Sequence, residues 1–216
     1  MEGKRMVVKV ADRRRRKDAR MKLAKTFMVV LGVLSFSGAC SAQVKDTLTV
    51  IHSRRSVRHY TGQPVSRKDL ETLVKAGMAA PTALDKRPWS FVVVTDEAVL
   101  KKLAEGLPYS KMIVQAKSAI VVCGVMTKAG GGEAREFWVQ DCSAATENIL
   151  LAAEAMGLGT VWTGMYPFYQ RVEYVQKVLG IPREVIPLNV IAVGFPTGED
   201  RPKDKFDPAN IHWDKW

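Results

Sequence analysis

Three uninterrupted apolar runs constrain the fold of this chain more than any other feature of the sequence. They cover residues 90–95, 119–125 and 187–195. A strand that is apolar at every position, rather than at alternate positions, is typical of a sheet that is covered on both faces. The three runs therefore predict a buried sheet with helices on both sides.

Helical patterns fill the intervals between these runs. Ser66, with Asp69 three residues later, predicts the start of an amphipathic helix over residues 66–80. Further helices are predicted over residues 46–54, 96–107 and 169–179, and the stretch 137–156 is apolar nearly all round, which is typical of a central helix. Strands that alternate with helices in this way predict an α+β or α/β sandwich.

The charge and the cysteines exclude several function classes. Residues 1–42 hold eleven of the 33 Lys and Arg but only three of the 22 acids, so the net charge of +11 is concentrated there and the remainder is close to neutral. We therefore expect no nucleic-acid partner. The three histidines and three cysteines lack metal-ligand spacing, and we interpret Cys123 and Cys142, which lie in apolar runs, as inert buried thiols.

The amino-terminal 42 residues have the pattern of a leader. Residues 1–20 are densely charged, which is typical of a disordered upstream extension, and Met21 is then the alternative start. Residues 21–42 pass from Lys22 and Lys25 through an apolar stretch to small residues, the pattern of a signal peptide. The competing interpretation is an apolar amino-terminal helix packed on the domain.

Two processing routes fit this leader. Cleavage after Ala42 leaves a soluble exported protein, whereas residues 37–40 resemble a lipoprotein box that would acylate Cys40, with Ser37 in place of the usual aliphatic residue. The leader thus predicts export to the periplasm or to a membrane-anchored position in a bacterial cell envelope. The alternative is a cytoplasmic protein.

A basic cluster, Arg54-Arg55-Ser56-Val57-Arg58, stands where the first predicted helix ends. Arginine presents a planar fork of donors that matches phosphate oxygens, and it remains charged at any working pH. The cluster alone fits two interpretations, a phosphate-binding site and a solvated basic helix end.

Four patches together resemble, in order and spacing, the short form of the nitroreductase family of FMN-dependent oxidoreductases. They are the cluster at 54–58, the proline-bounded loop at 80–89, the stretch GLGTVWTG at 157–164, and the stretch from GFP at 194–196 to PKDKF at 202–206. The resemblance covers residues from about 46 to the carboxyl terminus, within a domain over 43–216. It implies an α+β nitroreductase-like three-layer sandwich, with a central, mostly antiparallel sheet flanked by helices, and an obligate homodimer with FMN at the subunit interface.

The resemblance also implies which residues bind the cofactor. Arg54, Ser56 and the adjacent Arg55 would meet the phosphate end of FMN, together with Lys203 and Lys205 from the tail.

Other residues would meet the flavin ring. Arg58 matches a basic residue beside the pyrimidine edge, where a fixed cation stabilises the reduced flavin. Lys111 matches a second such lysine. Thr163 and Gly164 match the segment whose backbone N–H faces flavin N5.

The loop at 80–89 departs from the family pattern. Its residues Pro81, Thr82, Ala83 and Asp85 would reach the flavin of the other subunit, but the family commonly has Asn where Asp85 stands and Gln where Arg87 stands. An ionised Asp cannot donate a hydrogen bond, and its charge would lower the flavin potential. Arg87 is the candidate partner that offsets this charge.

The implied function is ping-pong hydride transfer from NAD(P)H through FMN to a nitroaromatic, a quinone or a related small-molecule acceptor. No catalytic side chain is expected, because the cofactor carries the chemistry. The alternative is an envelope flavin-binding protein without significant NAD(P)H turnover. A third interpretation is a specialised relative that fragments flavin or removes halogen. Such enzymes tend to carry extra segments that close over the substrate, and the loop near Gly130 is too short for such a segment.

Overall fold

The apolar runs form three of the four strands of an antiparallel sheet. The computed structural model describes residues 46–216, so the predicted extension and signal peptide lie outside the described residues. Strand β2 (Ala119–Val125) lies between β1 (Trp89–Val94) and β4 (Val185–Gly194), and β3 (Gly159–Gly164) follows β4 at the other edge, in the order β1-β2-β4-β3.

The sequence analysis did not predict strand β3, nor did it predict the short helix Met112–Ala116. A glycine stands at each end of the strand and two threonines lie within it, so it lacks the uninterrupted apolar character of the other runs. It is an edge strand, and Trp162 remains 36% exposed on it. Strand β1, at the other edge, does have a continuous apolar run, so an edge position permits a weak apolar pattern but does not impose one.

Helices cover both faces of the sheet, as the continuous apolar runs predicted. The α-helices of the described residues are α1 Thr47–Ser53, α2 Arg67–Met78, α3 Glu97–Gly106, α4 Met112–Ala116, α5 Phe137–Ala155 and α6 Tyr169–Leu179. Short 3-10 turns lie at Ala83–Asp85, Gly132–Glu136 and Pro208–Asn210. The predicted N-cap is confirmed, since Ser66 Oγ accepts the Asp69 N–H at 3.1 Å.

Alternate residues of β2 belong to two separate cores. Val121 packs with residues of α3, α4 and α6, whereas Ile120 and Val122 pack with residues of α2 and α5. Successive side chains of a strand point to opposite faces, so β2 is buried on both sides. The result is a helix–sheet–helix sandwich of three layers.

Helix α5 carries two buried acids in its otherwise apolar layer. Asp141 and Glu154 are each only 6% exposed. They are 13 residues apart, which corresponds to about 20 Å along an α-helix. Each acid binds a different segment of the candidate site, as described below.

Candidate functional site

The segment that carries the arginine cluster lies along the open edge of β3. It leaves α1 after Ser53 and forms a bridge between Ser56 and Thr160, where the Val57 N–H donates to the Thr160 carbonyl at 2.9 Å. This approach requires a glycine next to Thr160, because a Cβ at Gly159 would lie 2.7 Å from Val57 Cγ1. Sheet pairing therefore fixes the backbone of the cluster.

The start of the carboxyl-terminal tail joins the same segment from the other side. The Thr61 N–H donates to the Phe195 carbonyl at 2.9 Å, and the Thr197 N–H donates to the His59 carbonyl at 3.1 Å. Tyr60 is buried beneath these contacts, and its hydroxyl donates to the Val57 carbonyl at 2.8 Å. The tail thus begins directly beside the arginine cluster.

The two segments enclose one open cavity of about 630 Å³. Its lining includes the five residues predicted for the phosphate end, Arg54, Arg55, Ser56, Lys203 and Lys205, and also Arg58, Glu199, Asp200, Arg201 and Pro202. Residues almost 150 positions apart in the chain therefore meet here. The structure brings the predicted phosphate-end residues together, and their binding of a ligand remains a prediction.

Arg54 and Arg55 differ in how far their hydrogen-bond donors already have partners within the protein. Arg55 donates from Nη1 to Glu154 at 3.1 Å and from Nε to the Asp200 carbonyl at 3.0 Å. Arg54 Nε lies 3.0 Å from Glu147 Oε1, but within the described residues this buried N–H has no aligned hydrogen-bond partner. Arg55 is thus largely a structural residue, whereas Arg54 retains donors for a ligand.

The remaining cations face the cavity without acidic partners. Within residues 46–216, no ion pair involves Arg58, Lys203 or Lys205. Unpaired cations from two segments around one opening favour the binding of an anion, because their charges are not already neutralised.

Arg58 also borders a second cavity, of about 510 Å³, on its other side. Lys111 lines this second cavity, together with residues of the loop between α3 and α4. The two cations predicted to meet the flavin ring therefore share one opening, adjacent to the cavity where the phosphate is predicted to bind.

The end of β3 contributes backbone groups. The backbone carbonyl of Thr160 points away from β4, toward the open edge of the sheet. Backbone groups of alternate residues in a strand point to the same edge, so those of Trp162 and Gly164 point there as well. Thr163 instead faces inward, and its hydroxyl donates to the Val190 carbonyl at 2.6 Å. Gly164 is the better candidate of the predicted pair for donating a backbone N–H to a ligand.

The loop at 80–89 lies elsewhere on the same chain. The Ala83 N–H donates to Asp141 Oδ1 at 2.8 Å, and the Arg87 N–H donates to Thr82 Oγ1 at 3.1 Å. Neither of the two cavities beside Arg58 is lined by Pro81, Thr82, Ala83 or Asp85. In a single chain, this part of the predicted site is separate from the arginine cluster.

The predicted pairing of Asp85 with Arg87 is confirmed. The guanidinium donates to both carboxylate oxygens, from Nε at 2.7 Å and from Nη2 at 2.6 Å. The hydrogen bond from Arg87 is the main cause that lowers the pKa of Asp85; burial opposes it, and the charge of Arg87 adds a smaller lowering effect. Both residues adopt positive φ angles, 52° for Asp85 and 49° for Arg87, so the pair stands on a tightly turned backbone.

The sequence analysis missed three acids that position these segments. Asp141 binds the loop, Glu154 binds Arg55, and Asp200 binds the backbone at the end of the cluster, at Arg58 and His59. Asp141 and Glu154 did interrupt the apolar pattern of a central helix, which was a usable signal. Asp200 lies in a polar stretch with no periodicity and gave none.

The two described cysteines are buried free thiols, as predicted. Burial raises the pKa of Cys123 to about 12. Burial also raises the pKa of Cys142, with smaller contributions from Cys123 and Asp141. Neither thiol therefore ionises near neutral pH, so neither is a nucleophile.

Comparison with known proteins identifies the family. The model of the nitroreductase family matches residues 51–107 and 105–195. A protein of Methanothermobacter thermautotrophicus, provisionally named an NADH dehydrogenase/NAD(P)H nitroreductase, is 44% identical over 173 residues, which are 79% of this chain and 88% of the relative. The chain belongs to the nitroreductase family.

Solved structures share the fold. The crystal structure of a Parabacteroides distasonis protein with the same provisional name matches with a TM-score of 0.75 and 46% identity, over 80% of this chain and 99% of that one. The NADPH:FMN oxidoreductase of Vibrio harveyi, solved in complex with NAD+, matches with a TM-score of 0.71 and 25% identity, over 80% of this chain and 78% of that one. The predicted nitroreductase-like sandwich is thereby confirmed.

The predicted signal peptide and the predicted anchor at Cys40 lie outside the described residues. Within residues 46–216, no helix has both the length and the apolar character required to cross a bilayer.

Proposed function

We propose that this protein is an FMN-dependent oxidoreductase that takes its electrons from NAD(P)H. The observation that carries the proposal is the convergence of the arginine cluster and the tail on one cavity, in which Arg58, Lys203 and Lys205 have no acidic partner within the described residues. A dianionic phosphate is the ligand that such a set of donors recognises best. The names of the relatives, which include an NADPH:FMN oxidoreductase, support FMN as the carrier of that phosphate.

The residues present fit this cofactor. Arg54 has a buried Nε–H without an aligned partner in the described chain, and Lys203 and Lys205 complete the opposite wall of the cavity. Arg58 and Lys111 would lie along the ring edge where negative charge develops on reduction, and fixed cations there favour the reduced form. Gly164 would offer a backbone N–H from the open edge of β3.

When bound, FMN would supply the hydride chemistry, and the reaction proposed is a ping-pong transfer from NAD(P)H to a nitroaromatic, a quinone or a related acceptor. The protein's own residues bind, orient and electrostatically tune the ring.

The active form in this proposal is a homodimer. The arginine cluster contacts α5 at Glu147 and Glu154, whereas the loop at 80–89 contacts it at Asp141. At 100° per residue, Asp141 and Glu154 lie on largely opposite sides of the helix. A flavin held by the cluster of one chain therefore meets the loop of a second chain more readily than its own loop.

The exposed end of the tail supports the same assembly. Phe206 is 73% exposed, Trp213 is 83% exposed and Trp216 is fully exposed in the single chain. Several large apolar side chains in one solvent-facing stretch are typical of a surface that a partner covers.

The proposal is tested by adding FMN to the purified full-length protein and then mixing the complex with NADH without oxygen. We expect tight FMN binding, loss of the flavin absorbance with NADH, and its return when a nitroaromatic or a benzoquinone is added. The double variant Arg54→Ala, Arg58→Ala should weaken FMN binding about 100-fold, since two charge-assisted contacts are lost. Full FMN affinity in this variant would contradict the proposed site.

A flavin-binding protein without NAD(P)H turnover is the second candidate, and Asp85 is the observation that favours it. An ionised carboxylate close to the cofactor opposes the negative charge of the reduced flavin. The ion pair with Arg87 offsets that charge, which is why we place this candidate second. A bound flavin that dithionite bleaches but NADH does not would support it.

We also propose that residues 21–42 direct export to the cell envelope, with either cleavage after Ala42 or acylation at Cys40. Cell fractionation followed by sequencing of the mature amino terminus tests this. An intact Met1 on a cytosolic protein would contradict it.

A further inference from the structure

Asp200 contacts the arginine cluster through both its side chain and its backbone. Its Oδ2 accepts the N–H of Arg58 at 2.9 Å and the N–H of His59 at 3.2 Å, and the ring Nδ1 of His59 lies 3.2 Å from the same oxygen. Its backbone carbonyl accepts Arg55 Nε at 3.0 Å. One tail residue is therefore bound to Arg55 and to two consecutive positions, Arg58 and His59.

The position of this carboxylate is unexpected for a cavity that attracts an anion. Asp200 is one of the lining residues, so its charge alone should repel a phosphate. The carboxylate is directed at backbone N–H groups instead, and its side chain is only 15% exposed. Burial by itself would raise the pKa of Asp200, but the hydrogen bonds from Arg58 and His59 outweigh it and lower the pKa, so the group stays ionised.

Asp200 is also the last point at which the described tail is bound to the rest of the chain by a hydrogen bond. The hydrogen bonds that the described structure shows for residues 201–216 remain within that stretch. Lys203 follows three residues after Asp200 and Lys205 five residues after it. The direction in which both lysines leave the body of the protein is therefore set at Asp200.

We propose that Asp200 is a positioning residue of the phosphate site. It joins the tail to the arginine cluster, so that Lys203 and Lys205 stand across the cavity from Arg54 and Ser56. The inference rests on the proposed function, because it takes the phosphate of FMN as the anion that these cations share.

The charge of Asp200 and its positioning role predict effects of opposite sign. If Asp200 acted only through its charge, removal of that charge would tighten the binding of FMN. If it positions the lysines, its removal weakens the binding of FMN while the binding of riboflavin, which lacks the phosphate, changes little. A general structural role would weaken both ligands alike.

The experiment compares the dissociation constants of FMN and riboflavin for the full-length wild type, Asp200→Ala and Asp200→Asn at one ionic strength. We expect Asp200→Ala to weaken FMN binding about 10-fold or more and riboflavin binding less than about 2-fold. Asp200→Asn keeps an acceptor oxygen but loses its charge, so the binding of FMN should weaken by about 3-fold. This second variant retains the shape of the side chain and carries the test if Asp200→Ala does not fold.

Glu199→Ala is the matched control. Glu199 lines the same cavity and lies 4.0 Å from His59 Nε2, but its side chain is 66% exposed and it accepts no backbone N–H in the described chain. Its removal should tighten FMN slightly, because one repelling charge is lost.

Three results would overturn the inference: tighter or unchanged FMN binding in the Asp200 variants, equal weakening of FMN and riboflavin, or weakening by Glu199→Ala as large as by Asp200→Ala. If the wild type binds neither flavin, the proposed function fails and the inference fails with it. Normal wild-type binding with an unaffected Asp200→Ala contradicts the inference alone.

Discussion

The arginine cluster and the loop at 80–89 both carry charged side chains, but they use them in opposite ways. In the cavity beside the cluster, Arg58, Lys203 and Lys205 have no acidic partner within the described residues. In the loop, Asp85 and Arg87 neutralise each other in a bidentate pair. The positive charge of the first region is therefore free to attract an anion, whereas the charges of the loop neutralise each other.

Their anchors to α5 differ as well. The cluster is held by an ion pair to Glu154, which is 7% exposed in its side chain, while the loop is held by one backbone hydrogen bond to Asp141. A buried ion pair whose partner is removed leaves an uncompensated charge, so the two regions should respond very differently to substitution. The following predictions test that contrast, beginning with the largest effect.

Removal of Glu154 should have the largest effect on stability. Glu154→Ala leaves the guanidinium of Arg55 without its carboxylate and removes the acceptor of the Ser53 hydroxyl at 2.8 Å. We expect a loss of about 3 kcal/mol in the free energy of unfolding, measured by urea denaturation. Glu147→Ala, at the half-exposed acid beside Arg54, is the control and should cost less than about 1 kcal/mol. Equal effects at the two acids would contradict the contrast between a buried and an exposed anchor.

Removal of the tail lysines should affect binding without affecting folding. The double variant Lys203→Ala, Lys205→Ala should weaken FMN binding about 10- to 30-fold, because two cations are withdrawn from the phosphate. The melting temperature of the cofactor-free protein should not change, since neither lysine forms an ion pair within residues 46–216. Lys215→Ala removes a tail cation outside the cavity lining and serves as the control. Weakening by Lys215→Ala to the same extent would point to net charge rather than to a site.

Acid should weaken the junction between the tail and the cluster. The pKa of Asp200 is lower in the folded than in the unfolded state, so its contribution to stability is complete above about pH 4 and is lost as the pH falls through the lowered folded value. The stability difference between the wild type and Asp200→Ala should therefore shrink between about pH 5 and pH 3. A difference that grows on acidification would contradict the assignment of an ionised Asp200.

The loop pair should show the smallest effect on stability. Asp85 and Arg87 have side chains that are 72% and 64% exposed, and exposed ion pairs contribute little to folding. Asp85→Asn should leave the urea midpoint unchanged within error but raise the midpoint potential of bound FMN, because the proposed dimer brings this negative charge close to the flavin of the other chain. Arg87→Gln should lower that potential. Shifts of the same sign in both variants would show that the pair does not act through its charge.

Local patterns in the sequence were sufficient for five of the six described α-helices and for strands β1, β2 and β4, but not for the short helix α4. Continuous apolar runs predicted a sheet covered on both faces, and the cap at Ser66 predicted the start of α2. Strand β3 was not predicted, because its threonines and terminal glycines leave it with a weak apolar pattern. In each of these cases the local structure depends on residues that are close together in the sequence.

The partners of the charged residues were harder to predict from the sequence. Arg55 and Glu154 are 99 residues apart, and His59 and Asp200 are 141 apart, so only tertiary packing decides that they meet. The Asp85–Arg87 pair spans two residues, and it was predictable. The resemblance to a family supplied the convergence of the cluster and the tail, whereas residue chemistry alone favoured a solvated basic helix end.

A double-mutant cycle on FMN affinity tests the central claim most directly, namely that the cluster and the tail bind one phosphate together. The dissociation constant of FMN is measured for the wild type, Arg54→Ala, Lys203→Ala and the double variant. We expect each single variant to weaken binding, and the double variant to depart from additivity by at least about 0.5 kcal/mol because both residues contact the same group. Strictly additive effects, or full FMN affinity in the double variant, would contradict the claim.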